Sequence, residues 1–275
     1  MGLATAPFSG SSAGRGPVSS DGTALERAVA EGVRSVVESV FAAVADTAAD
    51  TAALLARGRA RGRRPATADL AALRPGLHAR LVRHALVSGI GFVASPGLFD
   101  GVPAWLEWWQ DGPGGEVRPL LPDLDPDRSA YADYTHWDWF ALPRDTGERA
   151  VAGPYVDYLC SDEYSLTLSA PVALAGAFAG VAAADVYLRH FETAVVPLLH
   201  RLPGPARLVN TSGRVAASTD PRHLVGSLDR SPSAARGGTP QRPGRGADVR
   251  RVPCAGVALW LLTGGGPGTS DQASR

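Results

Sequence analysis

An α+β fold with an antiparallel sheet is predicted by three features of the sequence. A long helical periodicity is confined to the first part of the chain. Short strand-like runs crowd the middle, and tight-turn pairs such as Ala175-Gly176 and Ser212-Gly213 separate them. Helices segregated from grouped strands are the pattern of α+β architecture.

The elements follow in order. Residues 1–22 are rich in Gly, Ser and Ala and are expected to be disordered. They lack a basic start followed by an apolar run, so no signal peptide is read there. From Thr23, Val29, Val33, Val36, Val40, Val44 and Thr47 recur at spacings of three and four. This stripe predicts a helix over about 24–56, and its length suggests a homodimer through that helix. The basic run Arg57–Arg64 reads as a solvated linker or, less well, as a phosphate-binding patch. Thr67-Ala-Asp69 offers a cap for a second helix reaching His84, with a kink at Pro75-Gly76.

From residue 86 the period changes. Strands are expected over 86–95 and 104–110, the latter with Trp105, Glu107 and Trp109 on one face and Leu106 and Trp108 on the other. Gly112–Gly115 is a turn signal, and 122–127 an acidic, Pro-rich loop. Further strands are expected over 151–159, 165–174 and 177–187, the last two joined at Ala175-Gly176. A helix over 188–202 stops at Pro203-Gly204-Pro205. Residues 206–210 and 215–218 form a hairpin. Residues 229–251 are rich in Arg, Gly, Ser and Pro and are expected to be disordered, and 257–262 to return as a strand.

Composition narrows the function. Hydrophobic residues are 45% and charged residues 20%, enough for a globular core. The formal net charge is zero, which argues against nucleic acid or an anionic membrane as partner. The longest uncharged run, Tyr164 to Ala184, holds Pro171, Gly176 and Gly180 and reads as a hairpin, so no membrane span is expected and the chain is placed in the cytoplasm. Every one of the 27 basic residues is Arg, which removes Schiff-base and P-loop lysine chemistry. The six His lack metal spacing, and there is no nucleophile elbow or Gly-rich phosphate loop. No catalytic residue, metal or cofactor is therefore expected. Two cysteines, Cys160 and Cys254, make no disulfide framework, and their pairing stays open.

The candidate site lies between Tyr131 and Tyr187. An aromatic cluster (Tyr131, Tyr134, Trp137, Trp139, Phe140) precedes Tyr155-Val-Asp157 and Asp185. Rings and two spaced carboxylates suit an organic cation, by cation–π attraction and charge-assisted hydrogen bonds. The rings could equally be core, Asp157 a solvent-facing strand residue and Asp185 a helix cap. Tyr155 and Asp157 share one sheet face. Trp105, Trp108 and Trp109 read better as core or contact residues than as pocket walls. Asp162-Glu163 is a weak acid/base pair, because loop neighbours rarely face one target.

The ordered set resembles the double Cache (dCache) family of sensor domains, in which a long N-terminal helix leads into PAS-like antiparallel sheet modules. The resemblance covers about residues 24–228. Trp139-Phe140 is similar to the family's Trp-Tyr pair, Tyr155-Val-Asp157 to its Tyr-x-Asp, and Asp185 in GVAAADV to its later Asp. The resemblance implies that Asp157 and Asp185 hold a ligand ammonium, with Trp137, Trp139, Phe140, Tyr155 and Tyr131 around it. The family's carboxylate-binding Arg is Trp137 here, and its Tyr is Phe140, which resembles the amine-recognising branch. Arg128, Arg144 or Arg149 could still supply a guanidinium. The closest image is a stand-alone bacterial Cache protein of actinobacterial-like composition. The expected organisation is a disordered segment (1–22), a sensor domain (23–228), a disordered linker (229–251) and a final strand with tail (252–275). Within the sensor domain lie a helical part (23–85), a ligand-binding module (86–188) and a short second module (189–228). The function expected is a non-catalytic sensor for an amine-containing metabolite, signalling through a partner protein. The alternatives are an amino-acid-binding Cache domain, an enzyme acting on amines with Asp157 or Asp185 as base, and a protein-binding scaffold.

Overall fold

The apolar stripe becomes a single helix. In the computed structural model, which describes residues 20–112, 114–124, 133–157, 163–230 and 249–264, Ser20–Ala60 forms the 41-residue helix α1. Val29, Val33, Val37, Val40 and Val44 are buried along it, so that Val37 takes the inward place expected of Val36, which is half-buried beside it. Each such valine contributes roughly 1.5–3 kcal/mol by leaving water. The stripe continues as Thr47 and Thr51, whose hydroxyls donate back to the carbonyls of Ala43 and Thr47 at 2.8 and 2.7 Å. This donation lets a polar side chain sit in an apolar interface without an unmet hydrogen bond. By length and composition alone α1 could cross a membrane.

A 3-10 helix, Thr67–Leu73, runs into α2, Arg74–Arg83, with Pro75 in its first turn. A proline there removes no hydrogen bond, so the break expected at Pro75 is a junction between two helical segments.

Among the described residues, ten strands make two antiparallel sheets. The first contains β1 (Gly89–Ala94), β2 (Leu106–Asp111), β3 (Val117–Pro119), β4 (Ala150–Asp157), β5 (Glu163–Leu174) and β6 (Ala177–Tyr187), in the order β3-β2-β1-β6-β5-β4. The uncharged run is the β5–β6 hairpin, as its sequence implies. Its turn residues Ala175 and Gly176 have φ of 53° and 82°, the paired positive values of a type I′ turn. The second sheet contains β7 (Ala206–Asn210), β8 (Val215–Ser218), β9 (Arg250–Cys254) and β10 (Leu259–Thr263), in the order β8-β7-β10-β9. Arg250 and Arg251 therefore belong to a strand and not to a disordered stretch. They pair with Thr263 and Leu262 in the ladder with β10. The remainder of that stretch, 231–248, lies outside the described residues.

Two further helices are present among the described residues. One is α4, Leu188–Leu199, which ends three residues before the sequence suggests. The other is α3, Asp138–Thr146, which the aromatic spacing did not announce. Gly147, at φ 72°, closes α3 in the left-handed conformation that stops helices.

The pleat of the first sheet sorts its residues. Ile90, Phe92, Leu166, Leu168, Ala182, Ala184 and Val186 face α1 and form the main core. Val93, Trp108, Ala152, Val181 and Ala183 face the other way, with Tyr134, Trp139 and Phe140 packed on them. The α1 stripe is thus spent on this chain's own sheet. Any dimer through α1 has to use its opposite face, because the stripe that suggested one is not available. In the second sheet, Arg207 and Asp229 form a fully buried ion pair at 2.5 Å.

Candidate functional site

The site is built on the face of the first sheet turned away from α1. Strand β4 carries a register shift between Ala152 and Tyr155. Gly153 sits there at φ 100°, and a Cβ on it would lie 2.6 Å from the Ser165 carbonyl oxygen, so only glycine fits. Bulges re-aim the side chains that follow them. Here Tyr155 meets Trp137 edge-on, with ring centroids 5.6 Å apart.

A chain of hydrogen bonds runs inward from Tyr155. Its hydroxyl is in contact with Thr167 Oγ1, and Thr167 Oγ1 donates to Asp185 Oδ1 at 2.5 Å. An ionised carboxylate only accepts, so the Thr167 proton goes to Asp185 and the Tyr155 hydroxyl donates into Thr167. Asp185 stands opposite Thr167 and Gly89 in the ladders and is buried. It is therefore neither a turn residue nor a cap on α4. Asp157 ends β4, two residues after Tyr155 and paired with Glu163. Tyr131 and Arg128 lie outside the described residues.

Trp137 is the N-cap of α3, and Trp139 and Phe140 fill its first turn. The Ser169 hydroxyl donates to the Trp139 carbonyl at 2.7 Å and pins α3 to β5. Tyr134 stacks on Trp139 at 6.3 Å and donates its hydroxyl to the Ala94 carbonyl at 2.8 Å. Phe140 is buried edge-on against Tyr134 and Phe178, at 5.1 and 5.5 Å. The structure thus brings Trp137, Trp139, Tyr155 and Asp185 together around one corner of the sheet. Phe140 is turned into the aromatic core beneath them.

Trp105, just before β2, and Trp108 and Trp109 within it divide as their alternation predicts, with Trp105 and Trp109 on the main core and Trp108 on the opposite face. Trp109 shares its face with Glu107, which accepts its indole N–H at 2.9 Å and also pairs with Arg74. Trp108 lies on the site's face above Gly89, and its buried Nε1 has no hydrogen-bond partner among the described residues. Arg144 is engaged with Asp145 and the Thr135 carbonyl. Arg149 holds Glu38 with two hydrogen bonds, at 2.7 and 2.6 Å, and the Gly256 carbonyl at 3.2 Å. Neither of these arginines is directed at the rings.

A cavity of about 260 Å³ opens beside Trp137, Trp139 and Tyr155, and Asp138, Asn210 and Arg214 close it from the other sides. The last two come from the second sheet and were not foreseen. Asn210 Oδ1 accepts from the backbone N–H groups of Ser212 and Arg214 at 3.0 and 2.8 Å, which shapes the β7–β8 turn. Its Nδ2 donates to the Gly153 carbonyl at 2.7 Å, locking that turn onto the bulge of β4. The Asn-x-Ser-Gly pattern signals the turn. Nothing local signals a partner 57 residues away.

No protein-family model matches the sequence, and no curated protein matches it. Solved structures do. The ligand-binding domain of the Pseudomonas aeruginosa PAO1 amino acid chemoreceptor PctC, in complex with GABA, is 18% identical, covering 88% of this chain and 97% of that one at a TM-score of 0.55. The ligand-binding domain of the Pseudomonas fluorescens chemoreceptor CtaA, in complex with L-valine, is 13% identical, covering 87% and 93% at 0.55. The extracellular domain of a protein described as a histidine kinase is 14% identical, covering 88% and 92% at 0.57. The chain shares the Cache-like fold of these sensor domains.

Proposed function

We propose that this chain is a non-catalytic sensor domain that binds a small molecule carrying an ammonium group and passes the signal to a partner protein. The observation that carries the reading is the buried line Asp185–Thr167–Tyr155, ending edge-on against Trp137. A carboxylate behind aromatic rings in a desolvated corner favours a cation. Each ring adds about 0.5–2 kcal/mol of cation–π attraction, and the carboxylate charge acts at reduced dielectric. Asp157 supplies the second acid. The fold supports sensing, since the neighbours include ligand-binding domains of chemoreceptors, and the ligands named with them, GABA and L-valine, both carry an ammonium.

Within the first sheet the residues favour a simple amine. Position 137 holds an indole, and Arg144 and Arg149 are engaged elsewhere. The ligands of the neighbours favour an amino acid as the second reading. Ligand closure draws α3 towards β4. Arg149, just beyond α3, carries the change to Glu38 on α1 as a shift in population between two states.

The test is a melting-temperature screen of purified protein against polyamines, biogenic and quaternary amines, and amino acids. A ligand at one hundred times its Kd stabilises the native state by about 2.7 kcal/mol. The rise is expected to vanish in Asp185→Asn and in Asp157→Ala, with no turnover of the ligand in the wild type. Turnover that these changes remove would make the chain an enzyme. Absence of any rise in folded protein would sink the cation site and favour a scaffold.

A further inference from the structure

A second, larger groove, of about 540 Å³, follows the free edge of β4, and its walls include none of Trp137, Tyr155 and Asp185. Strand β4 ends the order β3-β2-β1-β6-β5-β4, so it is paired on one side only, with β5. Four successive residues of β4, 150–153, line the groove. Successive side chains of a strand point to opposite faces, so four in a row have only the strand's edge in common. The side chains of Ala150 and Ala152 are themselves buried, and what the strand presents here is backbone. Along 150–152 that outer edge has no hydrogen-bond partner among the described residues. At Gly153 it has one, because the carbonyl accepts Asn210 Nδ2 at 2.7 Å from the second sheet. An unpaired edge is a template for another strand. Asp138, Leu142 and Thr146, spaced by four along α3, border the same groove as one helix face. Phe41 of α1 and the β9–β10 turn, residues 256–258, also line it. The uncompensated charge is negative. Asp138 and Glu148 are exposed and have no ion-pair partner among the described residues, whereas Arg149 is held by Glu38 through two hydrogen bonds.

We propose that this groove docks an extended, basic segment of a partner protein, added to β4 as a further strand. Main-chain bonds to the edge supply affinity, and alternate side chains supply the choice of partner. Residues 150–153 offer about 13 Å of edge at about 3.3 Å per residue, so the docked core is about four residues long. Alternate side chains of an added strand turn to opposite faces of the sheet. One set turns to the α3 side, where Arg or Lys meets Asp138 and its aliphatic stem covers the exposed Leu142. The other set turns to the α1 side, where the Arg149 guanidinium, 4.3 Å from the Phe41 ring centroid, disfavours a second cation and leaves room for an apolar residue. The segment therefore alternates basic and apolar residues. The proposal does not depend on the ammonium site. It gives the signalling partner a place to bind, against the Arg149 that reaches Glu38 on α1.

Fluorescence anisotropy with the full chain tests this. The probe is a fluorescein-labelled hexapeptide of alternating Arg and Val, beside an acidic counterpart of alternating Glu and Val. The wild type is expected to bind the basic peptide and not the acidic one. Two further basic peptides carry backbone N-methyl groups, one on its Arg residues and the other on its Val residues. In an antiparallel or parallel ladder only alternate N–H groups of the added strand face the edge. One methylation pattern is therefore expected to abolish binding and the other to leave it. The double variant Asp138→Lys with Glu148→Lys, at two exposed positions, is expected to weaken the basic peptide about tenfold or more and to admit the acidic one. Should that variant fail to fold, the methylated peptides carry the test on the wild type. Equal binding of the two methylated peptides, an unchanged affinity in the folded double variant, or no binding of the basic peptide by folded wild type overturns the proposal. A dimer in sedimentation that excludes the peptide makes the occupant a second copy of the chain and overturns it too. None of these outcomes bears on the ammonium site, which the amine screen tests separately.

Discussion

Thr167 has no charge and no place in any motif, yet two functional groups meet on its hydroxyl. It accepts from Tyr155 and donates to Asp185 from a buried position in β5. Replacing it with the isosteric Val keeps the shape and removes both bonds. Thr167→Val is expected to cost about 1–3 kcal/mol, the penalty of a buried polar partner lost. Urea denaturation measures it, and Thr167→Ser should recover most of the loss. Equal midpoints for Val and wild type would show that the line Asp185–Thr167–Tyr155 does not hold the site. At this scale the sequence was legible where chemistry was concentrated. Tyr155, Trp137 and Asp185 do converge. Thr167, Asn210 and Arg214 were not legible, because each takes its place from residues distant in sequence, Thr167 from Tyr155 12 positions away and Asn210 from Gly153 57 positions away. Phe140 reads as a ring in either a core or a pocket, and only its packing on Phe178 decides for the core.

Strands and turns were legible because period and turn chemistry are local. The β5–β6 hairpin closes on Ala175-Gly176, where the first residue takes φ 53°. An L-residue in that region costs roughly 1–2 kcal/mol, and Asn tolerates it far better than Ala. Ala175→Asn is therefore expected to stabilise the protein by about 1 kcal/mol, read as a higher urea midpoint at unchanged slope. A lower midpoint would contradict the type I′ assignment. Helix α3 was missed for a physical reason. Pro143 lies inside its nine residues, and the run is too short for a full periodic stripe. Only Asp138 in the first turn and Gly147 after the last mark its ends. Strand β9 was missed because its Arg residues and its long approach look polar. It takes its structure from pairing with β10, which no local signal reports.

Across the molecule, pH acts through a half-buried histidine. Burial, with help from Arg189, holds His190 below its ordinary value of 6.5, against the pull of Asp111 and Glu163. The native state thus binds fewer protons there than the unfolded chain, and stability falls as pH drops through 6.5. Asp111 works in the opposite sense, since burial raises its value and its cost is relieved on acidification. His190 Nδ1 lies 3.3 Å from the Ser88 hydroxyl, so His190→Gln keeps a polar partner and removes the titration. The wild type is expected to lose more melting temperature than His190→Gln between about pH 7.5 and about pH 5.5. Parallel profiles would place the acid sensitivity elsewhere.

Helix α1 has a consequence of a mechanical kind. It packs on both sheets and on α4, and Glu26, Glu38 and Asp50 tie it in turn to Arg250, Arg149 and Arg80. No proline interrupts residues 20–60, so the usual point of bending is missing. A stiff rod clamped at three stations cannot absorb a change in the spacing of the bodies it joins. It must turn that change into a slide or a roll along its own axis. At about 1.5 Å of rise per residue the rod is roughly 60 Å long, so a shift at one of its three stations bears on the other two.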